Sequence, residues 1–171
     1  MTILGSMKPD IQRSDVHAIL AAAETSIELP IQWGEMDALG HVNNVVYFRY
    51  LESARVAHIH ALGFDKLRFV PTEIDGRSVH VGFILQSVQA RFRKPLFYPD
   101  RLIITTRLVN IEDDRFTLAH EIISTQQRVV AAVGEGTIVT YDYDAHTKVR
   151  VPAIVRDKLL ALHASPKGHA L

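Results

Sequence analysis

The sequence predicts an α+β fold: a curved antiparallel sheet of about five strands wrapped around one long central helix, with a short helix at each end of the chain. Three observations predict it. Residues 43–62 repeat apolar side chains at steps of three and four, the spacing of a helix face. Much of the second half alternates apolar and polar residues at a period of two, in segments separated by short polar turns. The chain has 171 residues, the length of one ordinary domain, and no linker or internal repeat divides it. Short hairpin turns require antiparallel pairing. A long, mostly apolar helix needs a large surface to cover it, and a curved sheet is the economical one.

Residues 14–23 read as the first helix, with Ser14 as its N-cap and a helix-favouring run at 18–23. Residues 25–32 read as a strand around Ile27, Leu29 and Ile31, which Pro30 confines to an edge or an irregularity. The long helix carries Tyr47, Leu51, Ala54, His58 and Ala61 in one row and Val46, Tyr50 and Ala57 in a second, so it is buried around much of its girth. Asn43 is its N-cap and Gly63 lies just past its end.

A polar loop with Pro71, Asp75 and Gly76 follows. Val79, Val81, Phe83 and Leu85 then alternate, and Val88, Ala90 and Phe92 continue on the opposite parity. That slip predicts a bulge or bend near Gln86 and Ser87. Pro95 and Tyr98-Pro99-Asp100 mark a turn. Residues 102–111 form a β-branched strand, 112–115 a hairpin connection, and 116–124 a strand alternating Phe116, Leu118, His120 and Ile122. After Gln126-Gln127, residues 129–141 form a long strand. Gly134 and Gly136 share one face of it, where small residues let another element approach closely. Residues 152–163 form the terminal helix. The expected organisation is an N-terminal extension at 1–24, one domain at 25–163 and a tail at 164–171. Gly5-Ser6-Met7 resembles a cloning scar ahead of a native start at Met7, so residues 1–6 carry no fold expectation.

Nineteen Lys+Arg balance nineteen Asp+Glu. That balance argues against a broad basic surface for nucleic acid or an anionic membrane, and neither partner is expected. Apolar residues at 47% and charged residues at 22% place the chain among ordered globular domains. The absence of cysteine removes disulfides, thiolate nucleophiles and Cys-based metal sites together. His58 and His60 point in nearly opposite directions on a helix, and the other histidines are scattered, so no metal is expected. No segment approaches the ~18 apolar residues of a membrane span. Asp10, Arg13, Asp15 and His17 interrupt any signal-peptide core, and the default expectation is a cytoplasmic protein.

The stretch Gln32-Trp33-Gly34-Glu35-Met36-Asp37-Ala38-Leu39-Gly40-His41-Val42-Asn43-Asn44 joins the first strand to the long helix. It gathers two carboxylates, a histidine and two amides just ahead of the unpaired N–H groups of a helix N-terminus. Those groups and the helix dipole stabilise negative charge. A carboxylate beside an oxyanion-type site is a minimal device for acyl transfer.

The run Asp37-Ala38-Leu39-Gly40-His41-Val42-Asn43-Asn44-Val45-Val46-Tyr47, followed by Leu51-Glu52-Ser53-Ala54-Arg55, resembles the signature of the 4-hydroxybenzoyl-CoA thioesterase-like superfamily. These are hotdog-fold proteins that include bacterial acyl-CoA thioesterases and, more distantly, plant acyl-carrier-protein thioesterases. Phe92-Arg93-Lys94-Pro95-Leu96-Phe97-Tyr98-Pro99-Asp100 extends the resemblance, which runs from about residue 27 to 162. It implies a hotdog fold and hydrolysis of an acyl-CoA thioester to a free acid and CoA, with an acyl-carrier-protein thioester as a variant substrate. It implies no cofactor beyond the CoA of substrate and product. It also implies a homodimer, or a homotetramer built as a dimer of dimers.

Residue by residue, the resemblance places Asp37 as the catalytic carboxylate, attacking the carbonyl or activating a water; the competing reading is a turn cap. Asn44 stands where a backbone N–H faces the thioester oxygen, a role compatible with helix capping by Asn43. His41 matches a histidine of the plant enzymes, and catalysis and a structural hydrogen bond stay open for it. Leu39 stands where those enzymes place an asparagine, so their full polar network is not expected. Gln89 stands where many relatives carry a carboxylate, and Glu35 is an alternate base. Arg91, Arg93 and Lys94 are implied to meet the CoA phosphates, against the reading of an edge strand defended by charge. Arg128 and Lys148 are further basic candidates. Glu52 and Arg55 read as a surface or interface pair, and Phe48, Leu51, Phe83 and Leu85 as pocket or core. Two other functions remain: an enoyl-CoA hydratase or dehydratase, whose Gly-Asp-x-Asn-Pro motif is missing here, and a non-catalytic acyl-thioester binder.

Overall fold

The computed structural model describes residues 13–64, 70–74 and 76–165. The proposed scar at 5–7 and the end of the tail lie outside them. The elements in order are α1 (Arg13–Ala22), β1 (Thr25–Pro30), a 3-10 turn (Trp33–Glu35), α2 (Asn44–Ala61), β2 (Val70–Ile74), β3 (Arg77–Phe92), β4 (Arg101–Ile111), β5 (Arg115–Ser124), β6 (Val129–Asp142), β7 (Thr147–Lys148) and α3 (Ala153–Ala164). One antiparallel sheet runs β1-β4-β5-β6-β3-β2, with β7 pairing β6. It curls around α2 in the hotdog arrangement.

The termini of α2 follow the chemistry of their residues, whereas Ser14 lies inside α1 and is not its N-cap. Asn43 caps α2 by accepting the Val45 N–H at 3.0 Å. Gly63, at φ +81°, turns the chain away while its N–H donates to the His60 carbonyl at 2.8 Å. The parity slip in β3 is a register shift between Leu85 and Ser87.

The strands differ from expectation in two ways. Among the described residues there are seven rather than about five, because β7 is only two residues long and β2 contains Pro71. The stretch holding Pro71 reads as loop in the sequence. It is an edge strand paired only with β3, and a residue without an N–H is tolerated at a sheet edge. The turn at 93–100 joins two strands that do not pair with each other. β3 pairs with β6, while β4 pairs with β1 and β5. The 93–100 segment therefore carries the chain from the β6 side of the sheet to the β1 side. Pro95 and Pro99 within it cannot donate to a ladder.

Alternate residues of the sheet meet different helices. Leu102, Ile104, Ile122 and Ala132 pack with Val46, Tyr50, Leu51 and Ala54 of α2. Their neighbours Ile103, Ile123 and Val130 pack with Val16 and Leu20 of α1 on the other face. A third cluster joins Ile59 and Leu62 to Phe116, Leu118 and Ile138 and to Val155 and Leu159 of α3. A Cβ on Gly134 would come within 2.6 Å of Leu51 Cδ1, so the glycine is what lets α2 sit down on β6.

Polar groups are buried between these clusters. His58 Nδ1 is 2.9 Å from the Thr25 hydroxyl, and His120 Nδ1 is 2.9 Å from the Thr106 hydroxyl. Glu24 Oε1 accepts the Leu108 N–H at 2.9 Å and the His163 ring N–H at 2.6 Å. One buried carboxylate thus ties the start of β1 to β4 and α3. Among the described residues no helix is long and apolar enough to cross a membrane.

Candidate functional site

The site is built where β1 hands over to α2. The Glu35 carboxylate closes the 3-10 turn by accepting the Gln32 N–H at 2.8 Å. Met36 and Val42 then pair as an isolated antiparallel bridge. Between them the Asp37 N–H donates to the His41 carbonyl at 2.9 Å and the Gly40 N–H to the Asp37 carbonyl at 3.0 Å. Gly40 sits at φ +82°, a conformation that other residues adopt with strain. The outgoing arm is anchored twice. The Val42 N–H donates to the Leu96 carbonyl at 2.8 Å, and the Asn43 N–H to the Glu35 carbonyl at 2.9 Å.

Asp37 does cap this turn, because its Oδ1 accepts the Leu39 N–H at 2.8 Å. Its Oδ2 lies 3.5 Å from His41 Nδ1. Capping and a carboxylate–imidazole contact therefore coexist in one side chain. His41 Nδ1 is also 3.3 Å from the Val42 carbonyl.

A cleft of about 310 Å³ opens beside the loop, walled by His41, Asn44, Tyr47, Phe92, Arg93 and Lys94 among others. Asp37 is not one of its walls and meets it through His41. Asn44 is the first residue of α2, so its N–H has no acceptor within the helix. The sequence places Tyr47 and Phe92 on apolar rows and within the two runs that carry the family resemblance, with no role for either ring. Here their rings meet edge to face at 5.0 Å beside Asn44. Burial pushes the Tyr47 phenol above its ordinary range, so it stays protonated at neutral pH.

The basic cluster is divided. Arg93 and Lys94, just past the end of β3, border the cleft, whereas Arg91 does not. Successive residues of a strand face opposite sides, and Arg91 alternates with Ala90 and Phe92. It lies instead in a second cavity of about 470 Å³ with Gln89, Arg107, Glu121 and Glu135. Arg93 borders both cavities. Gln89 donates to Glu135 at 3.2 Å, and Arg107 Nε is 3.8 Å from Glu121 Oε1. Arg128 and Lys148 border neither cavity.

Other candidates have structural partners. Glu35 Oε2 accepts both the Gln32 N–H and the Tyr50 hydroxyl, the latter at 2.6 Å, which leaves it a poor alternate base. Glu52 and Arg55 form a helix-surface pair at 3.4 Å. Leu51 and Phe83 belong to apolar clusters, and Leu85 lies near Gly136, so all three are packing residues. Among the described residues no group of three or more His, Asp or Glu side chains is placed to hold a metal ion.

Comparison with known proteins agrees with this architecture. The sequence model of the thioesterase-like superfamily matches residues 31–159. A protein of Aquifex aeolicus (strain VF5) that carries the provisional name esterase is 29% identical over 104 residues, which is 60% of this chain and 74% of that protein. A provisionally designated thioesterase from Pseudomonas aeruginosa superposes with a TM-score of 0.67 at 25% identity, covering 79% of this chain and 97% of its own. A thioesterase from Thermus thermophilus, solved in complex with coenzyme A and Zn, superposes with a TM-score of 0.68 at 20% identity. It covers 85% of this chain and 98% of its own, a likeness of fold.

Proposed function

The chain belongs to the thioesterase-like superfamily, and from that premise we propose that it is an acyl-CoA thioesterase, hydrolysing the thioester to a free acid and CoA. The observation that carries the reading is the single cleft bordered by His41, the N-terminus of α2 at Asn44, and the cations Arg93 and Lys94. The thioester carbonyl oxygen is held by the Asn44 backbone N–H, where the helix end stabilises the developing oxyanion; one such donor is worth roughly 3–4 kcal/mol. Arg93 and Lys94 hold the CoA phosphates. Arg93 also borders the second cavity with Arg91, so the nucleotide end extends over β3 toward Arg91.

Two routes use the same groups. In the first, Asp37 attacks the carbonyl itself, which requires its release from the Leu39 N–H; the CoA thiolate leaves, and water then hydrolyses the acyl–Asp37 anhydride to the free acid and the restored carboxylate. In the second, a water attacks and His41 takes its proton, while Asp37, 3.5 Å away, stabilises the imidazolium. In this second route the tetrahedral intermediate expels the CoA thiolate, which recovers the proton from His41. The resting geometry favours the second route, because His41 and not Asp37 borders the cleft.

A homodimer, or a tetramer of two dimers, is part of the reading. β2 pairs with β3 only at the register from Arg77 to Val81. Among the described residues the same edge of β3 beyond Val81 has no strand partner, and such an edge is a ready site for a second copy.

Thiol release from short, long and aromatic acyl-CoAs, and from an acyl-carrier-protein thioester, tests the function. Wild type is expected to hydrolyse at least one, and Asp37→Asn to lower kcat about 10²-fold or more. No hydrolysis across the panel with CoA still bound would leave an acyl-thioester binder. Hydration of crotonyl-CoA would favour the hydratase.

A further inference from the structure

We propose that Tyr50 and Glu35 act together as positioning residues that hold the 37–41 loop at a fixed height and angle over the N-terminus of α2. Glu35 is the hub of the loop's incoming arm. Its carboxylate takes the Tyr50 hydroxyl at 2.6 Å and the Gln32 N–H at 2.8 Å, and its carbonyl takes the Asn43 N–H at 2.9 Å. Asn43 is the cap of α2 and Tyr50 lies well inside the helix. The arm is therefore tied to the helix from two residues whose backbones lie about 10 Å apart along its axis at 1.5 Å per residue, and both ties meet on Glu35. One tie would act as a pivot, whereas two set an orientation. Tyr50 is buried at 4% exposure and lies 6.3 Å from the Tyr47 ring, so its hydroxyl is aimed by packing.

The rest of the loop moves as one piece. The Met36–Val42 bridge and the Asp37 N–H to His41 carbonyl bond make it narrow and stiff. Its place relative to Asn44 is set by where its arms attach. The outgoing arm attaches to Leu96 and the incoming arm to Glu35. A reacting group displaced by about 1 Å can lose about 10²-fold in rate. Loosening the Glu35 tie therefore reaches Asp37 and His41 although neither touches Tyr50.

The consequence for rate rests on the thioesterase reading, and the geometry does not. Tyr50→Phe keeps the ring and removes one hydroxyl. It is expected to lower kcat about tenfold with KM within about twofold. Glu35→Ala is expected to lose at least as much. Glu35→Gln keeps an acceptor for both donors and is expected to recover most of the activity. Tyr50→Phe combined with Glu35→Ala should be no slower than Glu35→Ala alone, because the two groups share one bond. Amide hydrogen exchange on the unliganded protein gives the second readout. Tyr50→Phe should speed exchange at Asp37 and Asn43 about tenfold while leaving β5 unchanged. Unchanged exchange would overturn the proposal, as would a raised KM at constant kcat. So would Glu35→Gln as inactive as Glu35→Ala, which would make Glu35 a base. If wild type hydrolyses no thioester, the functional reading fails and the exchange measurement alone decides the clamp.

Discussion

Lowering the pH should unfold this protein through its buried histidines, and His120 shows how much. It is 2% exposed, and its partner is the Thr106 hydroxyl. Burial, with His58 and the Arg55 guanidinium nearby, pushes its pKa down to about 3. In the unfolded chain a histidine titrates near 6.5. As the pH falls through about 6.5 the unfolded state takes up a proton that the native state refuses until about pH 3. Stability is therefore fully present above that window and lost on descending through it. Between pH 8 and pH 5 the loss is about 1.5 units at 1.36 kcal/mol each, or about 2 kcal/mol. His58, lowered by burial to about 4, shifts stability with the same sign. Domains of this kind hold roughly 5–15 kcal/mol in all, so the drop is large. Urea unfolding of wild type and His120→Gln at pH 8 and pH 5 measures it, since glutamine can keep a bond to Thr106 without titrating. The variant's drop should be smaller by about 2 kcal/mol, the common carboxylate background cancelling in the difference. Equal drops in the two proteins would refute the reasoning.

Other perturbations have defined outcomes. Gly134→Ala places a Cβ 2.6 Å from Leu51 Cδ1 and 3.1 Å from the Gln89 carbonyl oxygen; it should cost about 1–3 kcal/mol by denaturant titration. Asn43→Ala removes the cap on the Val45 N–H and should cost about 1 kcal/mol in the same assay. Arg93→Ala should raise KM for an acyl-CoA about tenfold or more, with little change for an acyl thioester that lacks the nucleotide. Arg91→Ala, on the other face of β3, should raise that KM less, as read by initial rates on both substrates.

Much of the scaffold was legible because its signals are local. A cap needs only Asn43 and the N–H two residues on. The bulge in β3 shows as a change of parity within one segment. Gly134 announces a close approach because strands rarely carry a residue without a side chain to pack. Local signals also mislead. Pro71 reads as a loop breaker until an edge position is known for it, and the turn at 93–100 does not say which strands it joins until β3 is seen to pair with β6. Strand neighbours are set by long-range pairing that turn chemistry alone does not specify.

The sequence by itself determined the class of fold, the long helix, and the segment where an aspartate, a histidine and a helix N-terminus meet. These follow from periodicity, capping and a run of adjacent residues. Only the tertiary structure decided which of the singled-out residues share a cavity. It brought His41 and Asn44 to Arg93 and Lys94 across about fifty residues of chain, because the crossing segment anchors Val42 to Leu96. It turned Arg91 and Gln89 to the opposite face, because a strand alternates its side chains. It also made Glu35 a structural hub rather than a free base, because the winding of α2 delivers the Tyr50 hydroxyl to it from fifteen residues away.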